Sequence, residues 1–218
     1  MTPTAEARPD TSDMLAVHNA LRTSLSSAPE FVASAAGDRE RRAMIANYYD
    51  NVLRFLEVHH HGEEELVFPL LMERCPDQRD LVAEAEGEHE AVIGLIASAD
   101  ERRAVWETEG DPASDALVDA LVALNETLCP HLDSEEATIL PIAGENLTPE
   151  EWGRLPGHAM MGFSGDKIWL ILGIIREQMT PEQRDQMLAN MPPPAREMWQ
   201  GMGEASFNEL MAEVRQGK

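Results

Sequence analysis

Apolar residues along this chain recur at intervals of three and four, the spacing of one helix face, and no stretch alternates with the period of two that a strand requires. Met14, His18, Leu21 and Leu25 share one face behind a candidate cap at Ser12 or Asp13, and Pro29 is expected to close this helix. A second helix is predicted from about Asp38 to Met72, with the inner stripe Ile45, Tyr48, Val52, Leu56, His59, Glu63, Leu66 and Leu70. Cys75-Pro76-Asp77 is its stop and turn. A third spans roughly 78–107, with Val82, Ala85, His89, Ile93 and Ile96 on one face, and Gly110-Asp111-Pro112 ends that segment. The fourth runs from about Ser114 to Ile142 along Leu117, Leu121, Leu124, Leu128, His131, Glu135, Thr138 and Ile142. Pro130 lies inside this pattern and is expected to kink the helix or open one backbone bond just before His131.

Four amphipathic helices on short linkers predict an all-α fold, an up-down-up-down four-helix bundle over residues 13–143. Residues 1–12 read as a disordered leader. Residues 144–218 read as a helical C-terminal extension packing on the bundle, with helices near 149–154, 165–179, 181–190 and 195–215, interrupted by Pro192-Pro193-Pro194.

Composition narrows the function. The net charge of −23 repels phosphate backbones and anionic lipid, so nucleic acid and membrane surfaces are excluded as default partners. The longest apolar stretch, Ile168 to Ile175, is far too short to cross a bilayer. The polar, Pro-containing start reads as no signal peptide. Cys75 and Cys129 form no metal-binding or redox spacing and read as free thiols in a reducing cytoplasm.

The seven histidines add chemistry. His18, His59, His89 and His131 each fall on the apolar stripe of a different helix. One buried histidine is usually a hydrogen-bonded core residue. Four, one per helix, converge on a common level of a bundle, which is how such folds build metal sites. Glu63 follows His59 by four positions and Glu135 follows His131 by four, so each pair can offer a nitrogen and an oxygen to one ion. The two copies, HHHGEEELVFP and HLDSEEATILP, share the order His-x-x-x-Glu-Glu and place a proline ten residues after the histidine, at Pro69 and Pro141. Imidazole and carboxylate with little sulfur suit iron or manganese, and zinc less exclusively.

This pattern resembles the hemerythrin family, specifically the bacterial domains with the His-His-Glu signature, over about residues 13–143. The resemblance implies two iron ions bridged by two carboxylates, with His18, His59, Glu63, His89, His131 and Glu135 as ligands. Manganese or zinc is the less favoured occupant. The family's oxygen carriers have a His-x-x-x-His pair on the third helix, and here the position four before His89 is Ala85. His60, Glu86 and His158 are the candidates to replace the missing ligand.

The resemblance implies a non-haem di-iron protein that binds or reacts with O2 or a related small oxidant, nitric oxide or peroxide. One alternative is a di-iron oxidase or oxygenase acting on a small organic substrate in a pocket covered by the extension. Another is an iron-responsive or interaction module. A rival metal pattern is also present: Glu57-x-x-His60 and Glu86-x-x-His89 fit the Glu-x-x-His element of ferritin-like proteins. His61, Glu64 and Glu65 read as solvated, without function.

Overall fold

A computed structural model describes residues 8–165 and 167–216, and the first seven positions of the expected leader and the last two of the chain lie outside the described residues. Among the described residues the regular structure is helical, and no helix is long and apolar enough to cross a membrane.

Helix α1 (Asp13–Ser26) buries Met14, His18, Leu21 and Leu25, the predicted face. Neither expected cap operates. Ser12 makes no side-chain cap bond, and the Asp13 carboxylate accepts instead from the Trp152 indole at 3.1 Å. Pro29 does not close α1 but sits in the first turn of a short helix α2 (Ala28–Ser34), where its missing N–H is harmless. Helix α3 (Arg39–Leu66) starts at Asp38, whose carboxylate accepts from Arg41 N at 3.0 Å. Its buried face is much wider than the predicted stripe, because Tyr49, Leu53, Phe55, Val58 and His60 are buried as well.

Helix α4 (Phe68–Arg74) follows, then α5 (Arg79–Glu109) and α6 (Ser114–Ala137). Ile93, expected inside, is half exposed; Val92 takes the core position. Gly110 ends α5 at φ +78°, and the Arg42 guanidinium fills the space a side chain would need, so only glycine fits.

Helix α6 runs through Pro130, which has no N–H to give to the ladder, with Leu128 and Leu132 buried on either side. The breaks come at Val67 and Thr138, just ahead of Pro69 and Pro141, and the chain restarts as α4 and as α7 (Ile139–Asn146). Proline cannot donate to the carbonyl four residues back, and its ring clashes with that carbonyl, so each long helix is redirected there.

Helix α1 packs on α3 and α6, and α5 packs on the same two, which closes an up-down-up-down bundle. One apolar cluster includes Leu21, Leu56, Val92, Leu124 and Leu132, and a second includes Met14, Val67, Phe68, Val82, Ala85 and Ile139. Each of the four helices passes from one cluster to the other through a polar residue, so the polar layer lies between two apolar ones.

Beyond α7 come α8 (Pro149–Trp152), α9 (Arg154–Met161), α10 (Lys167–Glu177), α11 (Pro181–Asn190), α12 (Pro193–Met198) and α13 (Glu204–Val214). The expected last helix is divided: a π-helical turn over Trp199–Gly203 separates α12 from α13. Helix α10 packs on α1, α3 and α13, and α9 packs on α3. Trp169, Leu170, Trp199, Phe207 and Val214 join the same apolar cluster as Leu56. Arg41 donates to the carbonyls of Glu213 and Val214, occupying the end of α13.

Candidate metal centre

The polar layer is built from one or more residues of each bundle helix. Helix α1 supplies His18, α3 supplies His59, His60 and Glu63, α5 supplies His89, and α6 supplies His131 and Glu135. All seven are buried, none more than 7% exposed. The i, i+4 spacing stacks His59 over Glu63 and His131 over Glu135, with Nε2 to carboxylate distances of 3.7 and 3.6 Å.

Both carboxylates lie between two groups of histidines. Glu63 Oε2 is 3.7 Å from His59 Nε2 and 3.7 Å from His89 Nε2. Glu135 Oε2 is 3.7 Å from His18 Nε2, while its Oε1 is 3.6 Å from both His89 Nε2 and His131 Nε2. His60, His89 and His131 form one set able to hold an ion, with one ligand atom each within 4.8 Å of the others. His18, His59, Glu63 and Glu135 form a second such set. His60 stacks on His89 with ring centroids 4.0 Å apart.

The opposite ring nitrogens are fixed by acids. His18 Nδ1 lies 2.9 Å from Glu136 Oε1, His89 Nδ1 lies 2.9 Å from Glu64 Oε1, and His131 Nδ1 lies 2.8 Å from Glu88 Oε2. A carboxylate only accepts, so these contacts put the proton on Nδ1 and turn the Nε2 lone pair inward. Arg22 holds Glu136 from outside at 2.7 Å. The hydrogen bond from His18, reinforced by Arg22 against the cost of burial, brings the Glu136 pKa down to about 2.

Inside the layer the ligand atoms have no partners. The Nε2 atoms of His18, His59, His89 and His131, both ring nitrogens of His60, Glu63 Oε2 and both Glu135 oxygens are buried without a hydrogen bond. An orphaned buried polar atom costs on the order of 1–3 kcal/mol, and nine in one place are not a stable core arrangement on their own. Burial, with the neighbouring rings adding to it, pulls His59 and His60 well below the usual imidazole range. Burial and then the Glu135 charge push Glu63 well above the usual carboxylate range. His89 is also lowered by burial, but Glu135 and Glu64 outweigh that and leave it raised. Imidazoles with inward Nε2 atoms and buried carboxylate oxygens, none with a partner, are the donor set a cation completes.

Six of the sequence candidates thus share one layer, joined by His60. Glu86 does not reach it. Ala85 occupies the buried position of that turn, and Glu86 is exposed. Glu57 is also exposed and paired with Arg54, so the two Glu-x-x-His elements do not assemble a centre. His158 lies on α9 beside His61 and Glu65, in a separate cluster. Glu64, read from sequence as an idle solvent residue, is the partner of His89. Its signal was its position directly after Glu63, matched by Glu136 directly after Glu135.

A four-helix bundle with a buried His/Glu layer defines a class of metal-binding helical proteins. The family model for the hemerythrin HHE cation binding domain matches residues 10–143, and the chain belongs to that family. No curated protein and no solved structure matches it.

Proposed function

We propose that the polar layer is a non-haem di-iron centre that binds or reacts with O2 or a related small oxidant such as nitric oxide or peroxide. One observation carries the reading: the nine unpartnered atoms belong to seven residues that fall into two sets, and Glu63 and Glu135 of the second set also approach His89 of the first. His60, His89 and His131 would hold one iron, and His18 and His59 the other, with the two carboxylates shared. An iron pair supplies electrons to an oxidant. The chain's own residues set the conditions: Glu136, Glu64 and Glu88 orient three imidazoles, and the apolar clusters on either side exclude bulk water.

His60 takes up the place left by Ala85 and brings the histidine count to five, the number in the family's oxygen carriers. That favours a small oxidant over a larger organic substrate. A cavity of about 250 Å³ lined by Thr23, Ser24, Tyr48, Glu177 and Arg215, and another of about 360 Å³ lined by Asp50, Arg54, Glu57, Ile93 and Ile96, both lie away from the ligand candidates.

Metal analysis with an optical spectrum tests the proposal. Purified protein is expected to carry close to two metal ions per chain, iron among them, and His59→Ala and His131→Ala are each expected to lose about half of it or more. Full metal content in both variants overturns the reading. Reduced protein exposed to oxygen is expected to give a reversible optical change; rapid irreversible oxidation would favour an oxidase.

A further inference from the structure

Successive residues of a helix turn by about 100°, so the run 59–61 cannot point one way. His59 and His60 enter the buried layer, and His61 faces out, its side chain 59% exposed. His61 Nε2 lies 3.1 Å from Glu65 Oε1, one turn further along α3. His158 Nδ1, from α9, lies 3.5 Å from Glu65 Oε2, and the two imidazole rings are 5.5 Å apart. The ligand atoms of all three residues lie within 4.8 Å of one another. Two donors bound to one tetrahedral ion at about 2.1 Å are separated by roughly 3.4 Å, so only small side-chain adjustments are needed to close on an ion.

The packing of α9 supplies an independent observation. This helix buries none of its residues fully, and Leu155 is its half-buried contact with the second apolar cluster. Yet it approaches α3 closely. A side chain starting at Gly62 would meet His158 Cδ2 at 3.2 Å and Leu155 Cδ2 at 3.3 Å, and one at Gly162 would meet Val58 Cγ2 at 2.6 Å. Missing side chains on both sides thus let His158 settle over the outward face of α3, beside His61 and Glu65.

We propose that His61, Glu65 and His158 form a separate surface site for one divalent transition ion of the zinc type, and that this ion pins α9 to α3. Two imidazoles and one carboxylate with solvent on the open side match the donors of a zinc site that keeps one or more waters. Calcium and magnesium, which take oxygen donors, are disfavoured by the two nitrogens. None of the three residues belongs to the buried layer, so the site stands whether or not that layer holds iron.

The test uses the full chain with its resident metals counted first. Zinc is added, excess is removed by desalting, and metals are counted again. Wild type is expected to retain one additional zinc per chain. Losing a direct ligand is expected to weaken zinc binding by at least about 100-fold, the upper end of what outer partners cost, in both His61→Ala and His158→Ala. Zinc should also slow backbone hydrogen exchange over 154–161 in wild type and in neither variant. No additional zinc in wild type, or additional zinc kept by both variants, overturns the site; zinc binding without slower exchange overturns the clamp. Loss of resident iron in a variant that still gains zinc would count against the buried-centre reading instead. Because His61 is mostly exposed, its truncation leaves the fold intact.

Discussion

The two His-x-x-x-Glu-Glu segments look like copies in sequence but do different work. In both, the first histidine and the first glutamate face the buried layer, and the second glutamate reaches a histidine on another helix. Glu64 takes His89 of α5, and Glu136 takes His18 of α1. The copies diverge at all three positions between, and the first two of these change what the segment touches. His60 enters the layer, whereas its counterpart Leu132 joins the apolar core. His61 faces the α9 cluster, whereas its counterpart Asp133 pairs with Arg22 of α1 at 2.6 Å. One helical frame therefore turns three side chains into the buried layer from α3 and two from α6, and the difference rests on single side chains.

The shared positions should show the largest effects. Glu135 touches His18, His89 and His131, while Glu63 touches His59 and His89. Glu135→Ala is expected to remove most metal from both sets, and Glu63→Ala to remove less. Metal counts on the purified variants check this; one full ion kept in both variants would mean that neither carboxylate is shared.

Converting the first copy into the second comes next. His60→Leu restores the leucine found at 132. It is expected to cut metal content to about half, since His18, His59, Glu63 and Glu135 remain. It should also stabilise the metal-free protein by roughly 1–3 kcal/mol, because two buried nitrogens without partners give way to an apolar side chain. Denaturant unfolding of the metal-free forms measures this, and lower stability in the variant would show that His60 has a partner without metal.

Much of this was legible in the sequence, because a helix stripe carries its polar intruders with it. His18, His59, His89 and His131 were placed by periodicity alone, as were Glu63 and Glu135. Periodicity failed where direction depends on a neighbouring element. His60 is one step off the stripe and is buried because α3 is covered on more than one side. Pro130, which lacks an N–H to donate, is carried inside α6 with Leu128 and Leu132 buried on either side, and the helix ends fall instead just before Pro69 and Pro141. The partnership of Glu64 with His89 spans 25 residues and needs the register of α3 against α5, which no local pattern contains.

The outer acids give a smaller effect. Glu64→Gln and Glu136→Gln keep shape but weaken the pull on Nδ1, and each is expected to lower metal affinity by about 10–100-fold. Glu88→Gln should cost least, since its side chain is 40% exposed and water can replace it. Competition with a chelator ranks the three, and a larger loss at Glu88 would reverse the expected order.

The smallest effect concerns how the two segments end. Each runs through its break into a short helix, α4 or α7, and Arg74 at the end of α4 ties them together. It donates to Asn146 O at the end of α7 at 2.9 Å and forms a two-point pair with Glu151. Its hydrogen bonds from Arg74 bring Glu151 down from the ordinary carboxylate value of 4.5 to about 2. A carboxylate with a lowered folded pKa contributes stability above its unfolded value, and that contribution fades as pH falls from about 4.5 towards 2. Both side chains are partly exposed, so water screens the pair and the contribution is about 1 kcal/mol or less. Over that window wild type is expected to lose slightly more stability than Glu151→Gln, read as a narrowing gap between their unfolding midpoints. A gap that stays constant from neutral pH down to about 2 would show that Arg74 holds α7 through the Asn146 carbonyl alone.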